Sequence, residues 1–370
     1  MPHTQRIPLI QQIEQARNSR MICFLTSLRP GVPAQMAEDQ VRVAFEHLGE
    51  LEHKPIPKLD IFLCSNGGSG TVPWRLVALF REFSESFNVI IPYRAYSAAS
   101  LLALGADEIV MHPFAELGPI DPTVSNDFNP AEPNTGRRLG ISVEDVRAYV
   151  NFIKTTVGIT HEDELVRAIE ILAQKVHPLA LGNVERFLMQ SRMIARKILK
   201  THMGEEADEH KVDEIIENMA SKLYFHGHPI NRHEAKNDLR LKVTLELDPG
   251  LEDCIWNLYR DFEDEFENRS EFNPAIALAN PPVPFPPVAH PPQPGEMTQV
   301  GQMFFAGQPI PNLPTHEARL LYAMIECSSL SSSYWSRRRY TLLPTPQPGQ
   351  TAIREDILEQ GWTHSQVPAP

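Results

Sequence analysis

Ser97 lies between a β-type segment and an apolar helix, in the run RAYSAASLLALG that begins at Arg94. A serine nucleophile needs an exposed hydroxyl, a base that takes its proton and donors that stabilise the oxyanion. The start of a helix supplies unpaired backbone N–H groups and a positive dipole end, which favour developing negative charge. Serine is also a preferred helix N-cap. The run therefore allows two interpretations of Ser97, a nucleophile and a cap.

A second candidate motif is the turn SNGGSGT, which begins at Ser65 directly after an apolar run. The neighbouring Gly67 and Gly68 allow backbone N–H groups to point into a cleft, as an oxyanion hole requires. The turn is not a phosphate-binding loop, because no Gly-Lys-Ser/Thr follows it. It is not a nucleophile elbow either, because Gly-x-Ser-x-Gly is not completed. Ordinary strand-to-helix turns also contain glycines, so this motif alone defines no site.

The elements that would position these motifs alternate along the first half of the chain. Continuous apolar strands that alternate with helices predict an α/β fold with a parallel sheet covered on both faces. Strands are predicted at 21–26, 59–64, 88–93 and 108–112, and helices at 7–18, 34–48, 74–83 and 97–105.

The second half of the chain has a different pattern of predicted elements. A Ser-x-x-Asp pattern at Ser142 opens a helix, two further helices are predicted at 162–175 and 183–203, and a short strand at 239–247. Residues 279–314 hold a large share of the 33 prolines and cannot form a regular core element, so we expect a linker or wrapping arm. The predicted parts are a catalytic domain at 1–250, an acidic helix with the Pro-rich linker at 251–314, and a small C-terminal extension at 315–370.

Charge and cysteine content narrow the class of protein. The chain has 34 basic and 47 acidic residues and a net charge of −13, which argues against a broad nucleic-acid interface. The basic run 337–339 could form a small local basic patch, but such a run is more often a solvated turn, which is the interpretation preferred for it. The four scattered cysteines form no Cys-x-x-Cys pair and are expected to be reduced. With no signal peptide and no membrane-spanning run, we expect a soluble, cytoplasmic protein.

The order of these motifs resembles the serine dehydrogenase proteinase family, which belongs to the Clp-protease and signal-peptide-peptidase class of serine peptidases. The resemblance rests on LDIFLCSNGG at Leu59, NVIIPY at Asn88, the Ser97 run continuing to EIVMH, and LGPIDP at Leu117. It weakens towards residue 244 and is absent from the C-terminal tail. It implies a Clp-protease/crotonase-like β-α superhelix with a parallel sheet, followed here by a Pro-rich C-terminal extension.

The resemblance also assigns roles to residues. Ser97 takes the position of the nucleophile, and Gly67 and Gly68 match the glycine pair whose amides form the oxyanion hole. Ser69 stands where the family usually has an acidic residue. Ser100, one helical turn after Ser97, is a rival hydroxyl that could be a further donor or a cap.

The general base is the open assignment. The Clp branch uses a histidine after the nucleophile helix, but residues 117–122 contain none, and His112 is interpreted as structural. Relatives of the signal-peptide-peptidase type use a lysine near the start of a later helix, which points to Lys175 with His177 close behind. A catalytic lysine would need a pKa lowered by an apolar setting. Alternatively, Lys175 is a solvated residue in the last turn of a helix. Asp121 could orient a base or simply form a turn.

The cluster of His226, His228, His233 and Glu234 matches no zinc-ligand spacing, so we expect a turn followed by a helix start, with no metal or cofactor. The leading hypothesis is a serine peptidase that cleaves peptides or proteins, with membrane-associated proteins among the candidate substrates. The class implies a homo-oligomer. Two alternatives remain: a crotonase-like acyl-CoA enzyme, and a degenerate, non-catalytic scaffold of the same fold.

Overall fold

A computed structural model describes residues 3–51, 54–120, 123–124, 127–132, 138–222, 228–279, 304–305, 308–309, 313–344 and 351–366. Its α-helices are α1 His3–Arg17, α2 Asp39–Glu50, α3 Val72–Phe83, α4 Ala98–Ala103, α5 Val143–Asn151, α6 Glu162–Lys175, α7 Pro178–Leu199, α8 Glu209–Glu217, α9 Arg232–Asn237, α10 Pro249–Glu265 and α11 Pro274–Ala279. A π-helical turn, Phe152–Thr156, extends α5, and another, Asn218–Lys222, extends α8; a short 3-10 turn, Glu206–Asp208, precedes α8.

The strands comprise eight that form one sheet and seven short ones. The first group is β1 Arg20–Thr26, β2 Leu59–Cys64, β3 Phe87–Ile91, β5 Glu108–Met111, β10 Val243–Thr244, β13 Thr315–Glu326, β14 Leu330–Pro344 and β15 Thr351–Gln366. The second group is β4 Arg94–Ala95, β6 Glu116–Leu117, β7 Thr123–Val124, β8 Ile141–Ser142, β9 Ile230–Asn231, β11 Phe304–Phe305 and β12 Gln308–Pro309.

The main sheet has the order β10-β5-β3-β2-β1-β13-β14-β15. The five strands from β10 to β1 are parallel. This arrangement confirms the predicted Clp-protease-like α/β fold with its parallel sheet. Because the strands are parallel, their carboxyl ends lie along one edge of the sheet, and the turns after β2 and β3 meet there.

Helices cover both faces of the sheet, as the continuous apolar strands predicted. Ile22 and Phe24 of β1 belong to a core shared with α2, α3, α4, α7 and α8. Met21 and Cys23, on the opposite face, pack in a second core with α1 and α10. Each strand thus buries alternate side chains in different cores, which explains why these strands read as uninterrupted apolar runs.

The C-terminal strands continue the same sheet. β13 pairs antiparallel with β1, with Cys23 opposite Glu326, and β14 and β15 follow as antiparallel neighbours. The interpretation of residues 337–339 as a solvated turn was wrong. Arg337 and Arg339 lie within β14, and both donate to Glu317 of β13 across the ladder. The division of the chain at 250 and 314 stays a prediction.

Three predicted elements have different bounds, each for a local reason. α2 begins at Asp39 instead of residue 34, because Met36 forms a parallel β-bridge with Gly68. The predicted interruption at 177–182 shortens to Val176 and His177, since Pro178 takes the first turn of α7 and His177 caps it. The strand predicted at 239–247 shrinks to Val243–Thr244, the part that pairs with β5.

The cysteines are unpaired, and Cys23, Cys64 and Cys327 are buried, as expected for reduced core residues. Burial raises the pKa of Cys64 to about 12, which removes its thiolate character at neutral pH. Among the described helices, none is both long enough and apolar enough to cross a membrane.

Candidate active site

Ser97 occupies the residue before α4 and has an unusual backbone conformation. Its φ is +52° and its ψ is −113°, and its side chain makes no capping hydrogen bond. A residue other than glycine in such a region costs about 1–3 kcal/mol and persists only where the surroundings hold it. The simple N-cap interpretation therefore lacks its defining hydrogen bond, and the Ser97 hydroxyl is not used by the helix.

Backbone hydrogen bonds on both sides hold this conformation. The Leu101 N–H donates to the Ser97 carbonyl at 3.0 Å, and the Tyr96 N–H donates to the Ser65 carbonyl at 3.0 Å. Ser65 in turn donates its N–H to the Arg94 carbonyl at 2.9 Å. The end of β2 and the segment before Ser97 are thus joined, so the glycine turn and the serine keep a fixed relative position.

Gly67 packs directly against the Ser97 turn. With φ at +92°, a Cβ at this position would lie 2.6 Å from the Tyr96 carbonyl oxygen and 2.9 Å from the Ala98 nitrogen. The Gly67 N–H is engaged, since it donates to the buried Ser65 Oγ at 3.0 Å, and Thr26 Oγ1 donates to the same oxygen at 2.7 Å. Gly67 therefore serves close packing, and its amide already has an acceptor.

The backbone of Met36 forms hydrogen bonds to the two peptide groups that flank Gly68. The Met36 N–H donates to the Gly67 carbonyl at 2.8 Å, and the Ser69 N–H donates to the Met36 carbonyl at 2.9 Å. In a parallel bridge of this kind, the N–H of the bridged residue itself points away from the partner strand. A Cβ on Gly68 would lie 2.4 Å from the Met36 carbonyl oxygen, so only glycine fits.

Within the described part of the chain, the backbone amides of Gly68 and Ala98, the residues nearest Ser97 on the two sides of the cavity, are among those that have no hydrogen-bond acceptor. Ala98 is the first residue of α4, so its N–H is one of the unsatisfied donors of a helix start. Both residues line the same cavity as Ser97. Unsatisfied amides next to a half-buried serine that lines a cavity are the arrangement that can stabilise a tetrahedral oxyanion.

The cavity has a volume of about 370 Å³ and is partly open to solvent. The glycine turn forms one wall and α7 forms the other. Ser191 of α7 donates to the Ile120 carbonyl at 2.7 Å, which ties this helix to the segment after β6. The lining residues beyond the glycine turn are Ser97, Ala98, Leu101, Ile120, Phe187, Gln190, Ser191 and Ile194. The wall formed by α7 carries the apolar Phe187 and Ile194 beside the polar Gln190 and Ser191, so it offers both apolar contacts and hydrogen-bonding groups to a substrate.

Ser100, the rival hydroxyl, is fully buried. Its Oγ lies 2.7 Å from the carbonyl oxygens of Ala95 and Gly118 and accepts the Gly118 N–H at 3.2 Å. It therefore joins β4 to the segment after β6 and has no access to a substrate.

Lys175 and His177 both lie on the connection between α6 and α7, and both are exposed. Lys175 ends α6, and the His177 Nδ1 accepts the Leu179 N–H at 3.2 Å while its ring stacks on Phe128. Among the described residues that line the Ser97 cavity, none is a lysine or a histidine. The structure thus brings Ser97 and Gly68 together and leaves both base candidates outside the cavity wall.

The other polar motifs have structural surroundings. His112 stacks on Trp256 with ring centroids 4.9 Å apart, and burial lowers its pKa. The Asn231 side chain caps α9 by accepting the N–H groups of His233 and Glu234, which confirms the predicted turn and helix start. His228 contacts Glu234 at 2.8 Å. His226 and Asp121 lie outside the described residues. No group of potential metal ligands occurs among the residues that are described.

Sequence reasoning pointed to unpaired N–H groups at the start of the Ser97 helix but did not name the Ala98 amide among them. It missed two other contributors to the site, Met36 and the Thr26–Ser65 pair. Met36 could not have been found, because its role depends on a backbone bridge between segments far apart in the chain.

Comparison with known proteins identifies relatives. Residues 3–133 match the family model for ClpP-like SDH-type serine proteinases. The match covers the strands around the site, Ser97 and the glycine turn, and it confirms the resemblance seen in the sequence.

Two uncharacterized proteins of Methanocaldococcus jannaschii are also similar. One is 26% identical over 65% of this chain and 72% of its own length. The other is 22% identical over 73% of this chain and 83% of its own length. Among solved structures, a membrane-bound stomatin-specific protease is 14% identical with a TM-score of 0.32, covering 61% of this chain and 80% of its own.

Proposed function

From the family match over residues 3–133, we propose that this protein is a serine peptidase with Ser97 as its nucleophile. One observation carries the proposal. Ser97 has a strained backbone at a helix start, makes no capping hydrogen bond, and lines a cavity beside two unsatisfied amides. Strain of this kind concentrates at functional sites. A purely structural serine at this place would cap the helix.

The oxyanion hole in this proposal consists of the Gly68 and Ala98 amides. It differs in one donor from the expected pair of Gly67 and Gly68, because Ser65 Oγ already accepts the Gly67 N–H. Gly67 keeps a supporting part, since its lack of a side chain lets the turn approach Tyr96 and Ala98. Removal of one oxyanion donor typically reduces kcat by about 10²–10³-fold.

The reaction proceeds through an acyl-enzyme. Ser97 Oγ attacks the peptide carbonyl carbon while its proton passes to the base, and the oxyanion forms against the two amides. The C–N bond then breaks, the base returns the proton to the leaving amine, and water hydrolyses the ester. Lys175 and His177 remain the candidates for the base, because catalytic hydrogen bonds are often long or absent before substrate binds.

The protein is also proposed to form a homo-oligomer. α6 has no buried residue, although it carries several apolar side chains. Val166, Ile169 and Ile171 are each more than 40% exposed. An apolar cleft of about 380 Å³ lies between α6 and the α5 segment. Exposed apolar surface of this kind marks interaction sites, and a helix of this length gains its stability mainly from packing.

The test is covalent labelling with a fluorophosphonate, which a reactive serine attacks with loss of fluoride. We expect the purified protein to be labelled at Ser97 and the Ser97→Ala variant not to be labelled. Ser100→Ala is the matched control, since it removes a neighbouring hydroxyl that the substrate cannot reach, and its labelling should persist. Equal labelling of wild type and Ser97→Ala would contradict the proposal.

The same assay separates the base candidates. If Lys175 is the base, Lys175→Met should reduce the labelling rate by about 10²-fold or more. If His177 is the base, His177→Gln should have that effect instead. The crotonase alternative predicts acyl-CoA binding that Ser97→Ala leaves intact. The scaffold alternative predicts no labelling and no peptide hydrolysis by any variant.

A further inference from the structure

We propose that the C-terminal hairpin of β14 and β15 positions the Gly68 amide, with Trp362 as the positioning residue that acts through α2. This inference rests on the proposed function, because it concerns how the oxyanion donor of that site is held. The hairpin lies beyond the residues that match the family model.

The first step is a contact between β15 and the start of α2. Trp362 Nε1 donates to Asp39 Oδ2 at 2.7 Å. Asp39 is the first residue of α2. The Trp362 ring packs edge-on against Tyr334 of β14, with centroids 5.5 Å apart, and against the main core. The indole is therefore fixed by the hairpin, and its N–H fixes the position of the helix start.

A second contact holds the other end of the same helix. His47 in the last turn of α2 is fully buried, and its Nε2 lies 2.9 Å from Ser332 Oγ of β14. Ser332 Oγ in turn lies 2.8 Å from the His364 Nδ1 of β15. Both ends of α2 are thus attached to the hairpin, so a shift of the hairpin moves the whole helix.

The last step runs from α2 to the glycine turn. The residues just before α2 include Met36, whose backbone holds both peptide groups that flank Gly68. Glu38 adds side-chain links to the same region, accepting from Thr71 Oγ1 at 2.9 Å and from Arg75. The direction of the Gly68 N–H therefore depends on where α2 begins, and Trp362 fixes that point.

The experiment uses the full chain and a fluorophosphonate, with the maximal labelling rate (kinact) and the half-saturating concentration (KI) measured separately. Trp362→Phe keeps the aromatic packing and removes the N–H donor. We expect kinact to fall roughly tenfold and KI to stay within about twofold, because the oxyanion interaction forms only in the transition state. A fall in kinact of less than about threefold would overturn the inference.

Trp335→Phe is the matched control. It makes the same substitution in the same hairpin, but the Trp335 Nε1 has no hydrogen-bond partner among the described residues. This variant should label at the wild-type rate. Asp39→Ala should reproduce the Trp362→Phe defect, and the double variant should be no slower than either single one. Additive losses in the double variant would show that the two residues do not act through their hydrogen bond.

A second readout does not depend on catalysis. Amide hydrogen exchange in the peptide covering residues 65–72 should be faster in Trp362→Phe than in wild type or Trp335→Phe. Unchanged exchange there would overturn the positioning role even if no variant were labelled. Absence of labelling in wild type, by contrast, would count against the peptidase proposal itself.

Discussion

Gly67 shows how strictly one residue can be specified by its neighbours. Its φ of +92° is strained for any side chain, and a Cβ would contact backbone atoms of Tyr96 and Ala98 that cannot move without disturbing Ser97. Gly67→Ala should therefore lower the free energy of unfolding by about 2 kcal/mol or more. It should also lower the fluorophosphonate labelling rate, since relief of the clash displaces Ser97, the proposed nucleophile.

Urea unfolding measures the stability part of this prediction, with Gly49→Ala as its control. Gly49 lies in α2, and a Cβ there meets no atom within 4 Å. Replacement with alanine should leave the protein as stable or raise its stability by about 0.5–1 kcal/mol through helix propensity. Similar stability of the two variants would show that the contacts of Gly67 are not restrictive.

At the scale of elements, the junction of α2 with the C-terminal hairpin makes stability depend on pH. Burial, together with the charges of the nearby His364 and His3, lowers the pKa of His47 from 6.5 to about 3. Between these pH values the unfolded chain binds a proton at His47 and the folded chain does not. The contribution of neutral His47 is therefore complete above pH 6.5 and decreases as the pH falls towards 3.

His47→Gln isolates this contribution, because glutamine cannot titrate and still offers an N–H donor to Ser332. Between pH 7 and pH 5, wild type should lose about 2 kcal/mol more unfolding free energy than the variant. Urea titrations at the two pH values measure the difference. Parallel pH dependence in the two proteins would mean that His47 titrates normally in the fold.

The elements around the site were largely predictable, and the reason is physical. The apolar runs of β1, β2, β3 and β5 are continuous because both faces of each strand are buried. A local pattern of this kind can be recognised in the sequence alone. The order of strand, glycine turn, strand and Ser97 then sufficed to suggest the family. The place of Gly68 in the proposed oxyanion hole also followed from its glycine neighbour and its position after a strand.

Other features depend on contacts that no local pattern encodes. The engagement of the Gly67 amide by Ser65 and the bridge at Met36 arise only when distant segments meet. The C-terminal strands were unrecognised because their place depends on a distant partner: β13 pairs with the open side of β1, and β14 and β15 follow it in the sheet. The base is not resolved by proximity either, since Lys175 and His177 lie outside the cavity wall.

For the whole molecule, the exposed apolar face of α6 leads to a prediction about assembly. If this face joins subunits, wild type should sediment as an oligomer, and Val166→Glu combined with Ile169→Glu should shift it towards monomer. Ile353→Glu, an exposed position on β15, is the control and should leave the oligomer intact. Analytical ultracentrifugation over a range of concentrations checks this. A wild-type monomer at every concentration would contradict it.

The place of β1 in the sheet has a consequence for how the chain folds during synthesis. β2 follows β1 closely in the chain, but the other neighbour of β1, β13, follows almost 300 residues later. Until then the β1 edge presents unpaired backbone groups flanked by apolar side chains, a known site of wrongful strand pairing. The Arg6 side chain at this edge is also without Glu326, its buried partner 320 positions away. A ribosome-bound fragment thus still exposes this unpaired edge after the residues of the proposed active site have been translated.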